Sequence, residues 1–122
     1  MKKGRSIMEN RESIDEINLI LEELGISRKY RGFEQLSYAV CLAVQNTERL
    51  VYVTRYIYPK VAEHFNTTWC CVERNIRSVI SKIWQQNQNV ISEISGYKVV
   101  EKPKAAQLIS IITYYYLNNK AK

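Results

Sequence analysis

Apolar residues recur along this chain at three- and four-residue steps, the spacing that lines one face of an α-helix. Ile14, Ile17, Ile20, Leu21 and Leu24 form the first such stripe. Ser13 followed by Glu16 reads as a capping box that starts this helix, and Gly25 stops it. The basic connector ISRKYRG leads to a second stripe, Leu36, Ala39, Val40 and Val44, on a helix over about 33–45 that Asn46 and Thr47 interrupt. A short apolar helix near 48–53 follows. Tyr58-Pro59 then marks a new helix lined by Ile57, Val61, Ala62 and Phe65, because proline is tolerated in a first helical turn.

Asn66-Thr67-Thr68 supplies a break and an N-cap, and the pattern beyond it stays helical over 68–86 without glycine or proline. This is the longest helix the pattern predicts, about 30 Å. At about 100° per residue, Trp69, Val72, Ile76, Val79, Ile80 and Ile83 gather on one side, while Cys70, Cys71, Arg74, Arg77, Ser78 and Ser81 turn away. The stretch 87–95 predicts a short helical turn with Val90, Ile91 and Ile94 inward, ended by Gly96. After the polar connector YKVVEKPK, a last helix over about 104–117 carries Leu108, Ile109, Ile112, Tyr115 and Tyr116 as its stripe. The expectation is an all-α, compact bundle of about six helices containing a helix-turn-helix, winged-helix-like but without a wing. Residues 13–118 form the domain, with a flexible segment 1–12 before it and a tail 119–122 after it.

Length and composition agree with one domain. The chain has 122 residues, 46% of them apolar, enough to bury a core without help from metal or disulfide. Four glycines and two prolines leave little material for hairpins or glycine-rich phosphate loops. The longest uninterrupted apolar run, 38–44, is far too short to cross a bilayer, and the start MKKGRSIMEN lacks the apolar stretch of a signal peptide. A cytoplasmic protein with no membrane partner is expected. Cys41, Cys70 and Cys71 have neither zinc-site spacing nor a histidine at ligand spacing, and His64 is the only histidine. Metal sites, catalytic triads and cofactors are therefore not expected, and an enzyme is the least supported class.

Charge divides the chain in two. Residues 1–50 carry eight basic and eight acidic side chains, whereas residues 51–122 carry ten basic and four acidic, so the whole net charge of +6 lies in the second part. Clustered cations displace counterions condensed on nucleic acid, which makes a polyanion the natural partner. A compact helix ending at Phe65, a short polar turn, and a long helix with small and basic residues on its free face together suggest a helix-turn-helix. In that arrangement the second helix fits the major groove. Arg74 and Arg77 are the obvious readers, since a guanidinium can grip the O6 and N7 atoms of guanine or hold a phosphate, and Glu73 can accept from cytosine N4 or orient an arginine.

The stretch YPKVAEHFNTTWCCVERNIRSVISKIW, with RGFEQL upstream and SGYKVVEKPK downstream, resembles the C-terminal DNA-binding domain of the stage zero sporulation protein A regulators of endospore-forming bacteria. The likeness begins near Ile14 and runs almost to the C-terminus. It is most specific at Tyr58-Pro59, Asn66-Thr67-Thr68, Val72-Glu73-Arg74, Ile76-Arg77, Trp84 and Gly96-Tyr97. The resemblance implies a six-helix effector fold that binds a short promoter element on double-stranded DNA as tandem, head-to-tail copies. It also implies that Glu73 and Arg74 approach bases and that Arg77 contacts the backbone nearby. The family usually has arginine where this chain has Cys71 and histidine where it has Ser78, which removes one base contact and one backbone contact. Full-length members carry a phosphorylatable receiver domain ahead of this module. About a dozen residues precede the first helix here, so control by phosphorylation in the usual way is not expected.

The candidate interface is therefore Glu73, Arg74 and Cys71 at bases, with Arg77, Thr67, Thr68, Ser78 and Lys82 at phosphates or bases. A nucleoid-associated transcription regulator is the expected function. The alternative is an interaction protein that pairs with a full-length sporulation regulator and reads DNA weakly. Other conspicuous residues have plainer readings. Trp69 and Trp84 are expected in the core, and His64 is expected to cap or pack near the turn. Tyr114 is the one member of the tyrosine run outside the buried stripe. Lys98, Lys102 and Lys104 are expected to be solvated, or to add sequence-blind affinity beside DNA.

Overall fold

In the computed structural model, which describes the backbone of residues 2–121 and the side chains of residues 13–120, helices account for all regular structure. They are α1 (Lys2–Glu23), α2 (Arg31–Gln45), a 3-10 turn (Thr47–Tyr52), α3 (Val53–Tyr56), α4 (Tyr58–His64), α5 (Trp69–Gln86), α6 (Gln88–Ser95) and α7 (Ala105–Ala121). The all-helical class agrees with the periodicity. The segment expected as one short helix near 48–53 divides in two, because Asn46 caps the 3-10 turn through its side chain and the α-helical stretch begins only at Val53. The first and last helices reach beyond their expected ends, and the segments 1–12 and 121–122 lie outside the residues whose side chains are described.

Ser13 does not start a helix. The backbone of α1 is already helical from Lys2, so no amide of that turn is left for a Ser13 cap. Ser13 and Glu16, three residues apart on one face, instead receive the Tyr116 hydroxyl at 3.3 and 2.9 Å. Lys120 adds an ion pair to Glu16 at 3.2 Å. The two polar residues read as a cap thus tie α1 to α7.

The core surrounds α2. Phe33, Leu36, Ala39, Val40, Cys41, Leu42 and Ala43 are all buried, and the helix packs on α1, α4, α5 and α7. A helix covered on nearly every side belongs at the centre of a small domain. Its buried polar residues are satisfied: Gln35 accepts from Asn75 at 3.0 Å, and the Ser37 hydroxyl donates to Asn18. In α7, the Thr113 hydroxyl donates to the Ile109 carbonyl. No buried side-chain polar atom among the described residues lacks a partner.

Candidate nucleic-acid interface

Residues 57–86 build a helix-turn-helix. Burial of Ile57, Tyr58, Val61 and Ala62 fixes α4, and Pro59 sits in its first turn. The chain then reverses at Asn66, whose φ of 54° is left-handed. Asparagine tolerates that region better than most residues, because its short amide can bond locally. The Thr67 amide donates to the Ala62 carbonyl at 2.9 Å and closes the turn. Thr68 caps α5: its side-chain oxygen accepts from the Cys71 amide at 3.2 Å. Replacing Thr68 by alanine is expected to cost about 0.5–2 kcal/mol of stability. Thermal unfolding checks this, and an unchanged midpoint would contradict the cap.

One face of α5 is anchored and the other is free. Val72, Ile76, Val79, Ile80 and Ile83 are buried, as their spacing predicts. Arg74, Arg77, Ser78 and Lys82 are exposed, and Cys71 and Glu73 are half-buried at the edges. Among the described residues the ion pairs are Arg28 with Glu22 and Lys120 with Glu16, so neither Arg74 nor Arg77 is neutralised by a carboxylate. The Arg74 guanidinium rests 3.9 Å from the Cys71 sulfur.

Hollows flank this face on both sides. On one side a cavity of about 420 Å³ is lined by Arg31, Gln35, Thr67, Cys71, Arg74 and Asn75. Hydrogen bonds from the Thr68 and Thr67 side chains lower the pKa of the Cys71 thiol below its ordinary value, and the Arg74 charge adds to this. Cys70 and Cys71 are both free thiols. Further along the same flank, Lys82 lies 5.9 Å from the Tyr30 ring, beside Ser78 in a smaller hollow of about 230 Å³. On the other side a second cavity of about 420 Å³ brings Glu73 and Arg77 together with Lys102, Pro103 and Lys104. The Tyr58 phenol lies within electrostatic reach of this hollow. Burial pushes its pKa up to about 12, Glu73 acts in the same direction, and Arg77 opposes it.

The eight candidate residues therefore share one surface, although they split between its two edges. Trp69 overturns its expectation. It is 44% exposed, because in the first turn of α5 it stands beyond the end of the packed core, where a helical wheel finds no neighbour for it. Trp84 is partly buried against the core, as expected. His64 packs at the turn: its ring stacks on Tyr38 at 4.0 Å and meets Phe65 edge-on.

Gln35 and Asn75 escaped the sequence reading. Both lie in stretches that carry the family likeness, but they are forty residues apart and nothing in the sequence pairs them. Gly32 offers the only hint in the RGFEQL stretch. A side chain there would meet the backbone of α5.

The chain matches the family described as Sporulation initiation factor Spo0A C terminal over residues 17–116, which takes in α2 to α6, most of α7 and the later part of α1. The match spans the turn, the capped helix and the hollows that flank it. No helix among the described residues is long and apolar enough to cross a membrane. With its helix-turn-helix and its all-helical frame, this chain belongs to the Spo0A C-terminal domain family of helical DNA-binding domains.

Proposed function

We propose that this domain is a sequence-specific transcription regulator that seats α5 in the major groove of double-stranded DNA. The observation that carries this reading is the pair of exposed arginines, Arg74 and Arg77, on the free face of a helix whose opposite face is locked into the core. An α-helix fits the major groove, and an unpaired guanidinium supplies the two parallel donors that guanine O6 and N7 accept. Arg74 is the leading base reader. Glu73, beside it, accepts from cytosine or orients the arginine, and Cys71 faces the base that an arginine would otherwise contact. Arg77, Thr67, Thr68, Ser78 and Lys82 hold phosphates or neighbouring base edges. Tandem copies on adjacent half-sites accord with the family. Such a regulator would be found with the nucleoid.

Gel-shift titration tests this reading with a family-type promoter duplex and a scrambled duplex of equal length. Tighter binding to the promoter duplex is expected, by roughly a thousandfold or more for a fully specific reader. Equal affinity for both duplexes would refute sequence-specific reading. A second reading draws on Cys71, a small half-buried thiol at the edge of the reading face, where the family usually has an arginine. In that case the domain pairs with a full-length sporulation regulator, and specific binding would emerge only when the relative is added.

A further inference from the structure

The connector between α6 and α7 was expected to be a polar link, yet it is fixed at several points. The Val99 amide donates to the Ser92 hydroxyl at 2.9 Å, and the Ser95 hydroxyl donates to the Tyr97 carbonyl at 2.8 Å. Pro103 and Ala105 are buried, which pins the end of the connector. Lys102 donates to the Ser81 hydroxyl of α5 at 3.1 Å, a bond that joins the connector to the proposed recognition helix. Lys102 and Lys104 stay exposed on either side of the buried proline. With Arg77 they put three cations around one hollow against a single lining carboxylate, Glu73, and Glu101 next in the chain is exposed. None of the three cations is in an ion pair among the described residues.

We propose that residues 97–104 form a second DNA-contacting element, in which Lys102 and Lys104 join Arg77 to hold the phosphate backbone of the duplex alongside α5. The inference rests on the reading that α5 enters the major groove. Given that pose, the connector runs beside the inserted helix, where one strand's phosphates pass. A cationic hollow with an apolar floor suits a phosphodiester chain, because ammonium groups on flexible stems need no fixed base geometry to neutralise it. The connector would thus serve the purpose of a wing without a β-hairpin.

The test is the salt dependence of binding by K102Q/K104Q, K102R/K104R and Arg74→Ala, on the promoter and scrambled duplexes. Circular dichroism of each variant verifies the fold, and both lysines are exposed. Each phosphate contact contributes about 0.9 to the slope of log affinity against log salt. K102Q/K104Q is expected to bind both duplexes more weakly by a similar factor, with a slope shallower by about 1.8. Its loss of affinity between 50 and 200 mM salt should then be roughly tenfold smaller than that of the unaltered domain. K102R/K104R should keep the slope, and Arg74→Ala should lose discrimination with a smaller change in slope. If K102Q/K104Q keeps both affinity and slope while the unaltered domain still prefers the promoter duplex, this inference falls and the proposed function stands. A loss confined to the promoter duplex would also overturn it, since the lysines would then be reading bases. If the unaltered domain binds neither duplex, both proposals fall together.

Discussion

Replacing Arg74 by alanine is expected to weaken binding to the promoter duplex by roughly 5- to 150-fold, the equivalent of about 1–3 kcal/mol for a bidentate guanine contact. The loss on a scrambled duplex should be much smaller, because only the general attraction of one cation disappears there. The side chain is exposed, its guanidinium rests against the Cys71 sulfur, and no carboxylate among the described residues is paired with it. Truncation should therefore leave the fold intact, and a fall in affinity can be read as a lost contact with DNA. Titration of both duplexes at one salt concentration checks this. Equal losses on the two would remove Arg74 from the set of base readers.

The second large effect is expected inside the domain. Gly32 lies in the first turn of α2, where an added Cβ would come within 2.4 Å of the Asn75 carbonyl oxygen and 2.5 Å of a Val79 methyl. The methyl can turn aside, but the carbonyl belongs to the backbone of α5 and cannot. Gly32→Ala must push α2 and α5 apart, and overpacking of this kind costs typically 1–3 kcal/mol. For a domain of this size the unfolding midpoint should drop by roughly 5–15 °C. The same displacement strains the bond between Gln35 and Asn75, so DNA affinity should fall on promoter and scrambled duplexes under conditions where the variant is still folded. A variant with an unchanged midpoint would show that the two helices are not held at this separation.

These two residues mark where the sequence was legible and where it was not. The stripe of Val72, Ile76, Val79, Ile80 and Ile83 announced both the length of α5 and its buried face, since helical periodicity is a local property. Arg74 and Arg77 followed as the opposite face by subtraction. Thr68 was recognisable as a cap because capping needs only a side-chain oxygen and an amide three residues away. The errors came from groups whose surroundings are set by distant parts of the chain. Ser13 and Glu16 have the spacing of a capping box, but the phenol that occupies them is about a hundred residues away. Trp69 has the right angle on the wheel and the wrong height along the axis. Lys102 is exposed, as expected, but its bond to Ser81, twenty-one residues earlier, has no local signal in the sequence. The bond between Gln35 and Asn75 was invisible for the same reason.

The central claim is that an arginine on the free face of α5 reads base edges rather than attracting any polyanion. Single 7-deazaguanine substitutions along the promoter duplex test it most directly, because each removes one N7 acceptor from the major groove and leaves pairing and phosphates in place. The account predicts that at one guanine the substitution weakens the unaltered domain clearly and leaves the Arg74→Ala variant almost unaffected. Equal responses of the two proteins at every guanine would contradict it.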